Sequence, residues 1–378
     1  MDVRKVYSSI QAIVFAAAVL PLLAQGQSRN PIVIGGVFSL TGPGAGLGIP
    51  ERNGAQLAIK EINASGGING RPLQMHVEDD GSNPDNAVAK ANRLIHSEKA
   101  KVLLGPSLTA STVAVGGLTA PIDMLQISYT GFGPAVEAQR QCVLHVPPTQ
   151  EMNARALLTY VTKGESARRV AVFHDSGYGQ VVFNAIKPLV KEYGVEIVAA
   201  EKFEIGATDA TTQAAKVRAA RPEAVIVVAT SATPFRNLKQ MKIAVPIVSA
   251  IGSSSYEYVN AMGDAADGIV YAEFLVSEDP LPHQKEFVAS YKKEFPGRPP
   301  KNNEAMGYDS VMVTAAALRK AGPDAANKAI CDAARTTFDG VLTRYDFSAP
   351  DMNGIALGGF TYSRLVDGQF TRLPFTAR

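Results

Sequence analysis

Cysteine is scarce in this 378-residue chain, and its scarcity excludes two kinds of site. Cys142 and Cys331 are the only two, and neither has a C-x-x-C neighbour. A disulfide framework and a zinc site are therefore excluded, while one long-range bridge between the two stays open. An excess of one charge is also missing: 37 basic residues face 35 acidic ones, for a net charge of +2, and no Lys or Arg block occurs. Nucleic acid is not an expected partner. Catalytic spacing is absent as well. The five histidines (His76, His96, His145, His174, His283) show no H-x-x-H or H-E-x-x-H pattern. The run His174, Asp175, Ser176 has the residue types of a triad, but consecutive residues cannot face one another as triad members do. The glycine run GPGAGLG lacks both the G-K-[ST] ending and G-x-G-x-x-G spacing, so it does not read as a phosphate loop. No enzyme, metal or cofactor is expected.

What the chain does have begins with an address. Arg4 and Lys5 precede the apolar segment IVFAAAVLPLL, and small residues follow at Ala24 and Gly26. The pattern is that of a secretory signal peptide over residues 1–26, and its apolar run is short for a membrane span. The mature chain is expected to be soluble and periplasmic, and no cysteine near the cleavage point invites a lipid anchor. At 46% hydrophobic residues, the remaining chain is longer than one core usually holds, so two lobes are expected.

From Pro31 onward strands and helices alternate. IVIGGVF, LQMHVED, KVLLGP, MLQIS, RVAVFHD, EIVAA, EAVIVVA, PIVSAIG and GIVYAEF read as strands, with helical patterns such as ERNGAQLAIKEINA and DNAVAKANRLIHS between them. Continuous apolar strands separated by helices indicate parallel sheets covered on both faces. The paired prolines of VLHVPPTQ break the rhythm and suggest a crossing between lobes, and a second break lies near residues 277–282. Two helical patterns follow, and the tail from Tyr345 alternates like strand. The expected fold is α/β, with two doubly wound parallel-sheet lobes joined by a multi-strand hinge. Residues 31–147 with 277–348 would form the first lobe, and 148–276 with 349–378 the second.

Ligands of doubly wound sheets sit beyond the carboxyl ends of the strands. The loops there are SLTGPGAGLG, GPSLTAST, SYTGFG, HDSGYG, ATSATP and IGSSS. Hydroxyls and backbone amides at helix starts favour an anionic group such as a carboxylate. Each loop alone would pass as ordinary capping and turn chemistry; six on one edge indicate a site. In SYTGFG, Tyr129, Thr130, Gly131 and Phe132 combine a polar grip with rings for an apolar body.

The segment VIGGVFSLTGPGAGLGIPERNGAQLAIKEINASGGINGRPLQMHVEDDGSNPDNAVAKANRLI resembles the start of the type I periplasmic solute-binding proteins of ABC transporters, in the branched-chain amino-acid-binding branch. The similarity continues through LLGPS, HDSGYG and GDAADGIVYAEF. It implies a monomeric two-lobed trap that closes over a small ligand and delivers it to an ABC permease driven by ATPase subunits. A ligand sensor feeding a regulatory partner would share the fold.

By that resemblance, Thr109 and Ala110, with Ser107 nearby, would hold a ligand carboxylate. Thr130 and Gly131 match small residues of the next loop, while Phe132 stands where leucine-binding members have a threonine. Tyr178 matches an aromatic, and Leu47 replaces a larger one. Ala232 lies in ATSATP. The largest departure is Ile251, followed by Gly252 and Ser253, where amino-acid-binding members place an acid for the ligand ammonium. Burying an ammonium without that partner costs roughly several kcal/mol. Glu257 or Asp175 would substitute if the register differs. A small carboxylic acid is therefore expected as ligand, aromatic acids first; aliphatic acids, amides and branched-chain amino acids stay open.

Overall fold

The computed structural model describes residues 30–131 and 140–377. Its first sheet has five parallel strands in the order β2-β1-β3-β4-β5, with β1 Ile32–Phe38, β2 Leu73–Asp79, β3 Leu103–Leu104, β4 Gln126–Ser128 and β5 Val143–His145. Central position explains the composition of β1. It pairs with β2 on one side and β3 on the other, and its side chains are buried or nearly so. The second sheet orders β6 Arg169–Asp175, β7 Glu196–Phe203, β8 Ala224–Val228, β9 Ile247–Ala250 and β10 Val270–Glu273 with β13 Thr361–Val366 and β14 Gln369–Thr376. Strands β6 to β10 are parallel, whereas β13 and β14 add an antiparallel hairpin to the β10 edge. The small hairpin of β11 Thr337–Asp339 and β12 Arg344–Asp346 stands apart.

Two points differ from the sequence reading. VLHVPPTQ is not only a crossing, since its first residues form β5; three residues before a proline pair are too few to show a strand pattern. The second sheet is mixed, because the tail returns as a two-strand meander. Cys142 and Cys331, left open above, are joined by a disulfide with sulfur atoms 2.05 Å apart.

The chain crosses between the sheets three times, and two asparagines tie the crossings. Asn353 Nδ2 donates to the carbonyls of His145 and Pro147 at 3.1 and 2.6 Å, linking the last crossing to the first. Asn302 accepts from the Phe274 and Leu275 amides and donates to Ser254 and Glu273. Beside it Lys301, fully buried, pairs with Glu273 at 2.7 Å.

Helix α1 (Ala45–Ala64) and the later helix Asn302–Ala321 meet backbone to backbone. A Cβ on Gly54 would lie 1.9 Å from the Glu304 carbonyl, and one on Gly307 would lie 1.9 Å from that of Glu51. Only glycine permits this approach. The crossing carries Glu51, Asn303 and Met306 to the edge of the cleft.

Candidate ligand-binding site

The sheets have one switch point each, between β1 and β3 and between β6 and β8, where neighbouring connections run to opposite faces. A cavity of about 200 Å³ lies where the loops at these two points meet. Leu47, Ser107, Leu108, Thr109, Ala110 and Ser111 line it from the first sheet, and Gly177, Tyr178, Thr230, Ile251 and Gly252 from the second. That is the position at which doubly wound sheets bind ligands, and the volume is below the usual range for drug-sized molecules.

The first-sheet wall is built from polar braces. Asp79 accepts from the amides of Leu40 and Thr41 and from the Thr41 hydroxyl. Ser82 Oγ accepts from the Gly44 amide and donates to the Thr41 carbonyl. These bonds fix the glycine-rich turn ahead of α1. The helix Thr109–Thr119 starts without any side-chain cap: its N-cap residue is Leu108. By contrast, the helices beginning at Pro84 and Gln150 are capped by Asn83 and Thr149. The hydroxyls around Thr109 are thus not used as caps, and the first-turn residues Thr109, Ala110 and Ser111 line the cavity, where the helix dipole favours an anion. Thr109 and Thr130 share a hydroxyl hydrogen bond of 2.7 Å.

Asp175 organises the opposite wall. One of its oxygens accepts from the Gly177 and Gly179 amides, the other from the amide and hydroxyl of Thr230. Burial raises its pKa. With both oxygens engaged, Asp175 holds the two loops together, and it is absent from the cavity wall. His174 is tied to the Asp175 carbonyl and stacks on Phe183. Tyr178 lies against Gly252, where a Cβ would come within 2.8 Å of the ring. Its hydroxyl, like that of Ser111, is buried without a hydrogen-bond partner among the described residues. Both line the cavity.

Of the residues singled out from sequence, Leu47, Ser107, Thr109, Ala110, Tyr129, Thr130, Tyr178 and Ile251 come together around this space. Tyr129 contributes mainly its ring, since its hydroxyl pairs with Ser310 at 2.8 Å and its face stacks near Phe38. Three do not reach it. Gly131 is buried near the His145 ring, Ala232 is the buried N-cap of the helix Thr233–Gln240, and the Ser253 hydroxyl turns to Ser249 at 2.6 Å. Phe132 lies outside the described residues, as does the signal segment 1–26. Glu257 pairs with Arg298 at 2.5 Å and is likewise absent from the wall.

Sequence reasoning missed Glu51, Ser82, Pro84, Ile205, Asn303 and Met306. Glu51 matters most, being the sole carboxyl on the wall among the described residues, which place no Lys, Arg or His there. It is 1% exposed and accepts a 2.5 Å hydrogen bond from Ser107 Oγ. Burial pushes its pKa up to about 8; the Ser107 bond opposes this, and nearby Asp80 and Glu304 add to it. The signal was weak, because an acid inside a helical pattern reads as solvent-facing.

The two sheets also touch beside the cavity. Leu47 belongs to the same apolar cluster as Phe173, Val227, Tyr258 and Met262 from the second sheet's side. A Cβ on Gly46 would lie 2.9 Å from the Tyr258 ring.

This two-sheet arrangement with a cavity between the sheets agrees with comparison to known proteins. A family model described as periplasmic binding protein matches residues 31–360. The chain belongs to the periplasmic binding protein family. A Leu/Ile/Val-binding protein homolog from Brucella melitensis is 27% identical over 64% of this chain; the match spans 66% of that relative, just under two thirds of its length. An amino acid binding protein from Pseudomonas aeruginosa is 27% identical over 79% of this chain and 81% of its own. Among solved structures, a branched-chain amino acid transporter substrate binding protein from Streptococcus pneumoniae, in complex with isoleucine, superposes with a TM-score of 0.81. It shares 24% identity, covering 91% of this chain and 100% of that one. A solute binding protein of an ABC transporter from Rhodopseudomonas palustris, in complex with benzoate, gives 0.79 at 19% identity over 91% and 95%. At these identities the two structures show the fold.

Proposed function

We propose that this protein is the extracytoplasmic binding component of an ABC importer and that it captures a small carboxylate, aromatic acids being favoured. The lobes would be 31–147 with 277–348 and 148–276 with 349–378, acting as a monomeric trap that hands its ligand to a permease served by ATPase subunits. The observation carrying the ligand class is the wall itself. It offers an uncapped helix start and hydroxyls at Thr109, Ser111 and Thr130, while the side facing them ends in Ile251 rather than an acid. An anionic head has donors to meet, and Tyr129, Tyr178, Leu47 and Ile251 offer apolar surface to its body. The buried disulfide supports export, since such bonds persist in oxidising compartments.

A second reading, branched-chain amino-acid binding, is favoured by Glu51. Ionised, it would give a ligand ammonium a partner that Ile251 does not. A thermal-shift panel of benzoate, 3-phenylpropionate, aliphatic acids and leucine separates the two. The first reading expects aromatic acids at the top. At a hundredfold excess over Kd the linkage stabilisation is about 2.7 kcal/mol, a shift of several degrees. Stabilisation by leucine alone would establish the second reading instead.

A further inference from the structure

Glu51 has no place in the sequence pattern of the site, yet Glu51 lines the cavity together with the uncapped start of the helix Thr109–Thr119, which suits an anion. A bare carboxylate there would repel the head group the rest of the wall attracts. The surroundings do not offset such a charge. Around Glu51 stand Ser107 after β3, Asp80 after β2, Glu304 on the helix Asn302–Ala321, Tyr129 after β4 and Tyr258 on the helix Tyr256–Met262. The acids among these raise the cost of ionising it, and no cation lies within ion-pair distance of it among the described residues. Ser107 is its one hydrogen-bond partner there. Ser107 is held in turn by the Ser39 amide at 3.2 Å, and Ser39 by Asp80 at 2.8 Å. The carboxyl is thus positioned by a relay that anchors one of its oxygens and leaves the other with no hydrogen bond among the described residues.

We infer that Glu51 is a specificity-determining residue that meets the ligand carboxylate as a neutral acid, donating its own proton in a hydrogen bond to the anionic head. This rests on the carboxylate reading above. The pairing needs one proton between two carboxyl groups: the ligand arrives as an anion, Glu51 keeps its proton, and no net transfer occurs. A hydrogen bond from a neutral acid to a carboxylate is of the strong, charge-assisted kind, whereas two carboxylates at that distance repel. Discrimination follows from charge. An acid without an ammonium is accepted while Glu51 is protonated, and the site loses it when Glu51 ionises.

The test is calorimetric titration of the full chain with benzoate, 3-phenylpropionate and leucine at half-unit steps from pH 6 to 9.5. Wild-type affinity for the aromatic acids should be level at the acid end and then fall, approaching tenfold per pH unit, once Glu51 titrates near pH 8. Glu51→Gln should bind these acids about threefold to tenfold more weakly at pH 7, and its profile should be flat. Ser107→Ala removes the bond that favours the ionised form, so the fall should begin at a higher pH; this variant keeps the test informative if Glu51→Gln folds poorly. Aromatic acids that bind with identical profiles in wild type and Glu51→Gln would overturn the inference and leave the carboxylate reading standing. Leucine binding that strengthens toward pH 9 and disappears in Glu51→Gln, with aromatic acids inert, would overturn both, because Glu51 would then be an ammonium partner. Binding of none of the three acids would also overturn both.

Discussion

Buried acids decide how the protein responds to pH. Glu51 is pushed up to about 8, and Glu304 and Asp309 to about 7, in each case chiefly by burial. An acid with a higher pKa folded than unfolded holds its proton more tightly in the native state. Its contribution is present below the ordinary carboxylate range and is lost as pH rises through the folded value. Buried His174, whose pKa is lowered, acts in the opposite direction and only toward acid pH. Stability should therefore decline between about pH 6.5 and 8, read as a falling denaturation midpoint in urea, and Glu51→Gln should reduce the slope. A midpoint that rises over this window would contradict the burial of these groups. The same residues show which parts of the site could be read in advance. Thr109, Ala110, Tyr178 and Ile251 were legible because they follow strands, where a doubly wound sheet must place its loops. Glu51, Asn303 and Met306 were not, because their place on the wall depends on two helices touching at glycines far apart in sequence.

That helix contact is the element-scale feature on which the site depends. Replacing Gly by Ala inside a helix ordinarily stabilises by roughly 1 kcal/mol. At Gly54 the sign should reverse, because the new methyl would meet the Glu304 carbonyl at 1.9 Å, and backbone cannot move aside cheaply. Gly54→Ala should lower stability by about 1–3 kcal/mol, as overpacking does, and should weaken ligand binding because Glu51 and Met306 move with their helices. Thermal denaturation of the variant checks the first effect; a raised midpoint would refute the close approach. Element type was readable through most of the chain, since strand runs and helical periodicity alternate cleanly. The exceptions have local causes. β5 is three residues long, and the antiparallel placement of β13 and β14 depends on where the chain re-enters the second sheet, which no local pattern records.

At the scale of the whole molecule, residues from both sheets meet beside the cavity. Leu47 enters the second sheet's apolar cluster, and Gly46 lies under Tyr258. On the proposed reading, ligand contacts come from both sides and are made only when the lobes are together, so ligand would shift the population toward the closed form. Small-angle scattering should accordingly give a smaller radius of gyration at ligand saturation than without ligand, and an unchanged profile would count against a trap. Two lobes and a crossing hinge were legible from the length, the strand–helix rhythm and the proline break. The disulfide from Cys142 to Cys331 was not, because its partners are 189 residues apart in sequence and meet only through the fold.

On the proposed reading this cleft selects an acid without an ammonium, and Ile251 is the residue through which that selection is tested most directly. Calorimetry of benzoate and leucine against wild type and Ile251→Glu at pH 7 compares the two head groups in one pocket. Wild type should bind benzoate and not leucine. The variant should lose at least about tenfold in benzoate affinity through like-charge repulsion in a buried cleft, while gaining affinity for leucine. Tight leucine binding by wild type, with benzoate inert, would contradict the account.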